Sequence, residues 1–502
     1  MNFEKKLEKR KKKFKTKLTR HESTNKRKNI MLSISKKKKE DLIRKKRNIT
    51  ITEEDSDEYY QLVQEILQRL PEIYQQLSNP NCSNTLELVT DLRKMVCGKK
   101  DPPIDELIES NCVGYLIDFL GDNNNPNLQC ESAWVLSNIA SGNETQTRFL
   151  VENQAIPAFI KLLNSPDENV LDQSIWALGN IAGDCVEYRD ELLKLGVFDK
   201  FLEIIQTTTT KSIILNLIWA LSNCVRKTPY PPLTITKYAF PIYYKLIQHD
   251  DYDIKIKGFW GLNYLSNGEY DNIQLLIDTD ILPIILENLQ KKIPEIRIPS
   301  LRILGNVTSG NEEHTQTFID EGGILVLKHY FNHGNPQYRK EACWTISNVC
   351  AGTVSQIYEV IENDYVSDLI EIITNDHPSI KKEACFALTN IINCGDVSQL
   401  NILLSKHIIK PLCSLLDSID NEIDHLVLTA IEQILHQDMN SNYYSEYNNE
   451  EESSYAKLIE NVGGKKKIEI LSYSKDTLIS TKANTILYNF FNDEEDYESD
   501  SD

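Results

Sequence analysis

The sequence predicts an all-helical fold built as a stack of short repeats, and three observations carry that expectation. One segment type recurs at a near-constant interval, its apolar residues follow a helical period, and strand-type alternation is not sustained anywhere. The copies occupy residues 132–140, 174–182, 217–225, 258–266, 300–308, 342–350 and 384–392. Their third residues, at 134, 176, 219, 260, 302, 344 and 386, lie 42, 43, 41, 42, 42 and 42 residues apart.

The elements follow in chain order. Residues 1–50 form a basic arm; positions 1–49 contain 21 Lys/Arg against 5 Asp/Glu, a charge of +16. So dense a run of like charge reads as a self-repelling, mostly disordered tail. Residues 51–75 hold an acidic linker, Glu53-Glu54-Asp55-Ser56-Asp57-Glu58, and a first helix. Residues 76–491 hold about ten repeats, including degenerate copies around Leu92 and Leu428 and a last unit at 455–491. Terminal repeats need a different outer face, which accounts for their loss of the motif. Between motifs each unit carries a second helix, as at 156–163 and 281–289, with Pro157 and Pro283 in the first turn, where no backbone donor is needed. Clusters such as Ser141-Gly142-Asn143 and Ala182-Gly183-Asp184 end the motif helix. Residues 492–502 are an acidic tail.

Composition narrows the function classes. The net charge of −19 divides into +16 on the arm and −35 on the remainder. A body so acidic repels nucleic acid, whose phosphates demand excess positive charge, and attracts basic partners. No apolar run reaches the roughly 18 residues that span a membrane, and the first residues lack the apolar core of a secretory signal. The 11 cysteines include no CxxC pair, and Cys130, Cys224, Cys343 and Cys385 read as small core residues. No phosphate-binding Gly-rich loop, nucleophile elbow or metal-spaced ligand set is present, so neither an enzyme nor a cofactor is expected.

The motif also predicts a surface. At about 100° per residue, Trp134 and Asn138 share a helix face distinct from the apolar arc of Val135, Leu136, Ile139 and Ala140. The same holds for Trp176/Asn180, Trp219/Asn223 and Trp344/Asn348. In a single repeat the Trp reads as ordinary core. In a stack, equivalent positions merge into one row of exposed rings alternating with carboxamides. A carboxamide can pair with both the N–H and the C=O of an extended peptide. Parallel rings form slots for Lys or Arg stems, each cation–π contact adding about 0.5–2 kcal/mol. Glu131, Glu341 and Glu383, three residues before the motif aromatic, stand where cationic tips would emerge. Asp184 sits four after Asn180 at a helix C-terminus, where the macrodipole disfavours an anion, and that local cost suggests a purpose. Tyr264 in place of Asn and Arg302 in place of Trp interrupt the row and leave two clusters.

These residues resemble the importin-α (karyopherin-α) family over nearly the whole chain, with support from 177–184 (ALGNIAGD), Tyr188-Arg189-Asp190, 153–160 and Pro102-Pro103-Ile104-Asp105. The resemblance implies a right-handed superhelical solenoid of armadillo repeats and a nuclear import adaptor that shuttles between cytoplasm and nucleus. It implies a concave groove that binds mono- or bipartite nuclear localisation signals. Carried onto matching positions, the major site comprises Trp134, Asn138, Ser141, Gly142, Thr147, Gln173, Trp176, Asn180, Asp184, Asn216, Trp219 and Asn223. Asp184 would hold the critical cargo lysine. The minor site comprises Arg302, Asn306, Glu341, Trp344, Asn348, Glu383, Phe386 and Asn390, with Phe386 standing where the family has Trp. The arm resembles the importin-β-binding segment, and Lys45, Lys46 and Arg47 look like a localisation peptide that occupies the groove until importin-β withdraws them. The last repeat resembles the part recognised by a nuclear export receptor of the CAS type with Ran-GTP. The alternative is an armadillo scaffold of catenin type, which accounts for the period but not for the basic arm.

Overall fold

The computed structural model describes residues 55–97, 102–267, 270–291, 293–417, 420–445 and 455–491. Among them every regular element is helical. The chain divides into two compact units, whose described residues run from 55 to 275 and from 276 to 491.

In the first unit, the motif segments lie on the long helices Pro126–Ala140, Glu168–Asp184, Lys211–Val225 and Tyr252–Ser266, preceded by Thr85–Val96. In the second they lie on Pro294–Thr308, Pro336–Cys350 and Pro378–Cys394, followed by Asn421–Ser445 and Thr477–Phe490. Several of these helices begin with Pro at the first helical position, where its fixed φ suits the helix and its missing donor costs nothing. Side-chain caps from Asn125, Asp167, Asp251, Asn335 and Asp476 satisfy first-turn amides. The apolar arc read from the sequence is the core: Val135, Leu136, Ile139 and Ala140 are fully buried, as are Ala177, Leu178 and Ile181 one repeat on.

A regular repeat holds three helices where the sequence showed two. Between Pro126–Ala140 and Glu168–Asp184 come Glu144–Glu152 and Ala155–Leu162; in the second unit Glu312–Asp320 and Gly323–Phe331 take the same places. The nine-residue helix escaped notice because its apolar stripe is short. Its signature was nevertheless written in the sequence as a reciprocal capping box: Asn143 with Gln146, Asn311 with His314, Thr353 with Gln356 and Asp396 with Gln399. One repeat departs from the pattern. After Lys211–Val225, Pro229, Pro231 and Pro232 leave room only for the four-residue helix Leu233–Thr236.

Two boundaries and one burial assignment also shift. The helix at 182–184 continues through Gly183 to end at Asp184. The first helix, Asp55–Leu77, begins inside the segment read as linker. Cys130 is only half-buried, and burial with nearby carboxylates pushes its thiol up to about 11.

The joint between the second and third last helices of a repeat turns through the left-handed region. Asn111, Gln154, Gly196, Asp280, Gly322, Asp364, His407 and Gly463 have φ between 52° and 78°. A Cβ at Gly322 would meet nothing within 4 Å, so only the backbone conformation resists substitution there. Gly322→Ala should therefore cost about 1–2 kcal/mol, read as a lower urea midpoint. Gly334→Ala, where φ is not in that region and the space is equally open, should be neutral or slightly stabilising.

Candidate peptide-binding face

The long helices carry the motif residues in their expected order, but packed differently. Each ladder carboxamide points back at the preceding long helix. Asn180 Nδ2 donates to Ser137 O at 3.0 Å and Asn223 Nδ2 to Gly179 O at 2.8 Å. In the second unit Asn348 Nδ2 donates to Gly305 O at 3.0 Å and Asn390 Nδ2 to Ser347 O at 2.9 Å. Asn138 does the same to Cys97 Sγ at 3.2 Å. These amides are staples between repeats, each committing one of its two N–H groups to the preceding helix, so the expectation that each Asn offers its full donor and acceptor capacity to a peptide is narrowed: one N–H is engaged. The acceptor is not. Asn180 Oδ1 and Asn390 Oδ1 are buried and accept no hydrogen bond.

The row of exposed rings is corrected as well. Trp176, Trp344 and Phe386 are buried, whereas Trp134 and Trp219 are half-exposed. Two of the rings, Trp219 and Trp344, also approach a glycine one repeat earlier very closely. A Cβ on Gly179 would lie 2.4 Å from Cζ3 of Trp219, and one on Gly305 would lie 1.4 Å from Cζ3 of Trp344. Each of these two indoles thus occupies the space beside the glycine of the preceding Leu-Gly-Asn. Trp176 and Trp219 stack on each other with centroids 4.8 Å apart and planes at 27°. A sandwiched aliphatic stem needs about 7–8 Å between ring planes, two van der Waals contacts deep. The gap between these two rings is closed, and a stem can lie only across exposed ring edges.

The remaining major-site residues gather on the same unit. Ser141 Oγ donates to Asn138 O at 2.7 Å, and Thr147 Oγ1 donates to Asn143 O at 3.2 Å. Gln173 Oε1 accepts from Ser137 Oγ at 3.5 Å, and Asn216 Nδ2 donates to Asp172 Oδ1. A Cβ on Gly142 would strike the capping Gln146 Oε1 at 1.9 Å. At the end of Glu168–Asp184, two cations of the next repeat meet the helix terminus: Arg226 Nη2 donates to Gly183 O at 3.2 Å and Lys227 Nζ to Asp184 O. Burial and Arg226 hold the Lys227 ammonium below its usual range, while Asp184 opposes them. These cations answer the macrodipole, so the electrostatic cost assigned to Asp184 from sequence is offset locally. Sequence reasoning missed both, since they lie one repeat on and carry no motif.

The acidic positions are also largely engaged. Arg93 Nε donates to Glu131 at 2.5 Å while its guanidinium lies 4.7 Å over the Trp134 ring. Arg302 and Glu341, 1% and 5% exposed, form an ion pair at 2.9 Å. Glu341 therefore neutralises Arg302 rather than waiting for a ligand. Glu383 is half-buried on Pro378–Cys394, the helix that also carries Phe386 and Asn390; Asn306 is buried on Pro294–Thr308. Lys45, Lys46 and Arg47, like the tail 492–502, lie outside the described residues. Among the described residues, no helix is long and apolar enough to cross a membrane, and no three potential metal ligands converge.

Known proteins bear on this arrangement. Residues 10–90 match the importin beta binding domain, residues 100–141, 143–183 and 311–351 the armadillo/beta-catenin-like repeat, and residues 453–502 the atypical Arm repeat. Importin subunit alpha-2 of Arabidopsis thaliana is 34% identical over 292 residues, 57% of this chain and 55% of that protein. Importin subunit alpha-1b of Oryza sativa subsp. japonica is 37% identical over 227 residues, 45% of this chain and 42% of that protein. Importin subunit alpha-B of Dictyostelium discoideum is 35% identical over 286 residues, 57% and 55% respectively. The chain thus aligns with about half the length of the curated relatives it matches. The crystal structure of an engineered protein shares the fold, with a TM-score of 0.72 at 22% identity, covering 84% of this chain and 98% of that one.

The Arg302–Glu341 pair allows a direct test. Glu341→Ala strands a buried guanidinium and should cost about 3–5 kcal/mol, measured by urea unfolding. The double change Arg302→Met with Glu341→Leu should recover most of that loss.

Proposed function

The chain belongs to the importin-α family, and from that premise we propose that it is a nuclear import adaptor. Its row of long helices grips basic localisation peptides, and its arm, residues 1–50, binds importin-β. One observation carries the peptide-binding half of this reading. Asn180 and Asn390, each in its own unit, present a buried carboxamide oxygen with no partner, fixed in direction by the amide's bond to the preceding helix. A buried acceptor left unsatisfied is costly, and the N–H of an extended peptide satisfies it once the side chains covering Asn180 and Asn390, both 0% exposed, move aside.

Asp184, beside Asn180 at the helix end, takes the ammonium of a cargo lysine, competing with Lys227 for the same ground. The major site is the set from Trp134 to Asn223 and the minor site the set from Arg302 to Asn390. A bipartite cargo engages both through effective concentration rather than extra contacts. Lys45, Lys46 and Arg47 compete with cargo intramolecularly until importin-β withdraws the arm. The final repeat, within 455–491, meets an export receptor of the CAS type with Ran-GTP, and the protein cycles between cytoplasm and nucleus. No catalytic step and no direct contact with nucleic acid or membrane belongs to this role.

Fluorescence anisotropy with a lysine-rich localisation peptide and its alanine variant tests the proposal. The lysine peptide should bind more tightly, and Asp184→Ala should weaken it by at least about 1.5 kcal/mol through loss of a charged partner; equal binding of the two peptides would overturn the reading. Deleting residues 1–50 should tighten cargo binding, and unchanged affinity would remove autoinhibition from it.

A further inference from the structure

Trp134 carries a cation of the protein's own. Arg93, on the preceding long helix Thr85–Val96, places its guanidinium 4.7 Å above the ring centroid and its Nε 2.5 Å from Glu131. Glu131 is three residues before Trp134 on the same helix face, where the tip of a peptide cation would emerge. A bound lysine or arginine needs a ring face and a carboxylate at its tip; here both are already taken by a side chain of the protein itself. The arrangement is well enclosed, with the side chains of Arg93 and Glu131 only 17% and 20% exposed.

We propose that Arg93 is a resident cation that fills the Trp134 slot and so sets where the basic run of a bound peptide must stop. This rests on the adaptor reading and adds a specificity determinant to it. A peptide residue reaching past Trp134 on this side finds no free carboxylate and no open ring face. It meets a guanidinium already balanced by Glu131, so an added lysine gains nothing there. An Arg at 93 makes the slot self-filling; a short side chain there opens a cation site without any other change, because the indole and Glu131 remain.

The test uses the full-length chain and three labelled peptides: a short lysine-rich parent, and the parent with one lysine added at either its N- or its C-terminal end. For the wild type, both extended peptides should bind like the parent. In Arg93→Ala, one of the two extensions should gain about 2- to 30-fold in affinity, while the parent is unchanged, which also reports that the face is intact. Arg93→Met keeps an apolar stem over the indole without the charge and should show no gain. Adding Glu131→Gln to Arg93→Ala should remove most of the gain. Two results would overturn the proposal: a wild type that already gains from an added lysine, or an Arg93→Ala variant that binds the parent normally yet gains from neither extension. If the parent itself fails to bind the wild type, the adaptor reading falls and this proposal with it. Comparing each extension with the parent in the same protein cancels any competition from the arm, which affects all three peptides alike.

Discussion

A carboxamide bonded to the backbone of the preceding repeat is the interaction on which the rest of this structure depends. In a stack of repeats each unit touches only its neighbours, so stability and geometry are set at successive interfaces. Here the same asparagine recurs at those interfaces, with its amide directed at a carbonyl 43 or 44 residues earlier. Buried hydrogen bonds of this kind contribute only about 1 kcal/mol each in net terms, but they leave little freedom in direction. The consequence for recognition is direct. The oxygen on the other side of the same carboxamide is held in direction by the staple, so once uncovered it needs no reorientation to meet a donor.

Much of this was legible in the sequence, and the failures have one cause. The period, the helical class, the apolar arc and the second helix of each repeat follow from local pattern and emerged as read. A helical wheel fixes a residue's angle on its own helix; it says nothing about what the neighbouring repeat places over that face. Trp176 and Trp344 sit at the angle expected of a surface row, yet they are buried because the preceding repeat brings a helix against them, with a glycine beneath Trp344. The Leu-Gly-Asn spelling at 178–180 and 304–306 was visible, but its meaning as a seat for an indole one repeat later was not. Arg93 and Lys227 likewise carry no motif; only the stacking reveals what they meet.

Charge shows the same separation between long and short range. An excess of 35 negative charges outside the first 49 residues draws basic partners over distances comparable to the Debye length. Close to the helices the picture reverses, because several of the acids are committed. Glu131 belongs to Arg93 and Glu341 to Arg302, while Asp420 and Glu422 both hold Lys382, at 2.7 and 2.5 Å. Attraction at a distance therefore comes from the sum, and selectivity at contact comes from the few carboxylates and carbonyl oxygens that the protein has not already used.

The eight left-handed joints have a further consequence, for how this chain can change. Three are glycine, four are Asn, Asp or His, which tolerate that conformation through their short polar side chains, and one, Gln154, is neither. Each regular three-helix repeat thus carries one position where the backbone, rather than packing or partner, sets the amino-acid alphabet. Gln154 adjoins the helix Ala155–Leu162 within the repeats that hold Trp134 and Trp176, so its torsional tension sits in the unit that carries the proposed major site. Relief of that tension offers a route to a sturdier protein that leaves the recognition surface untouched.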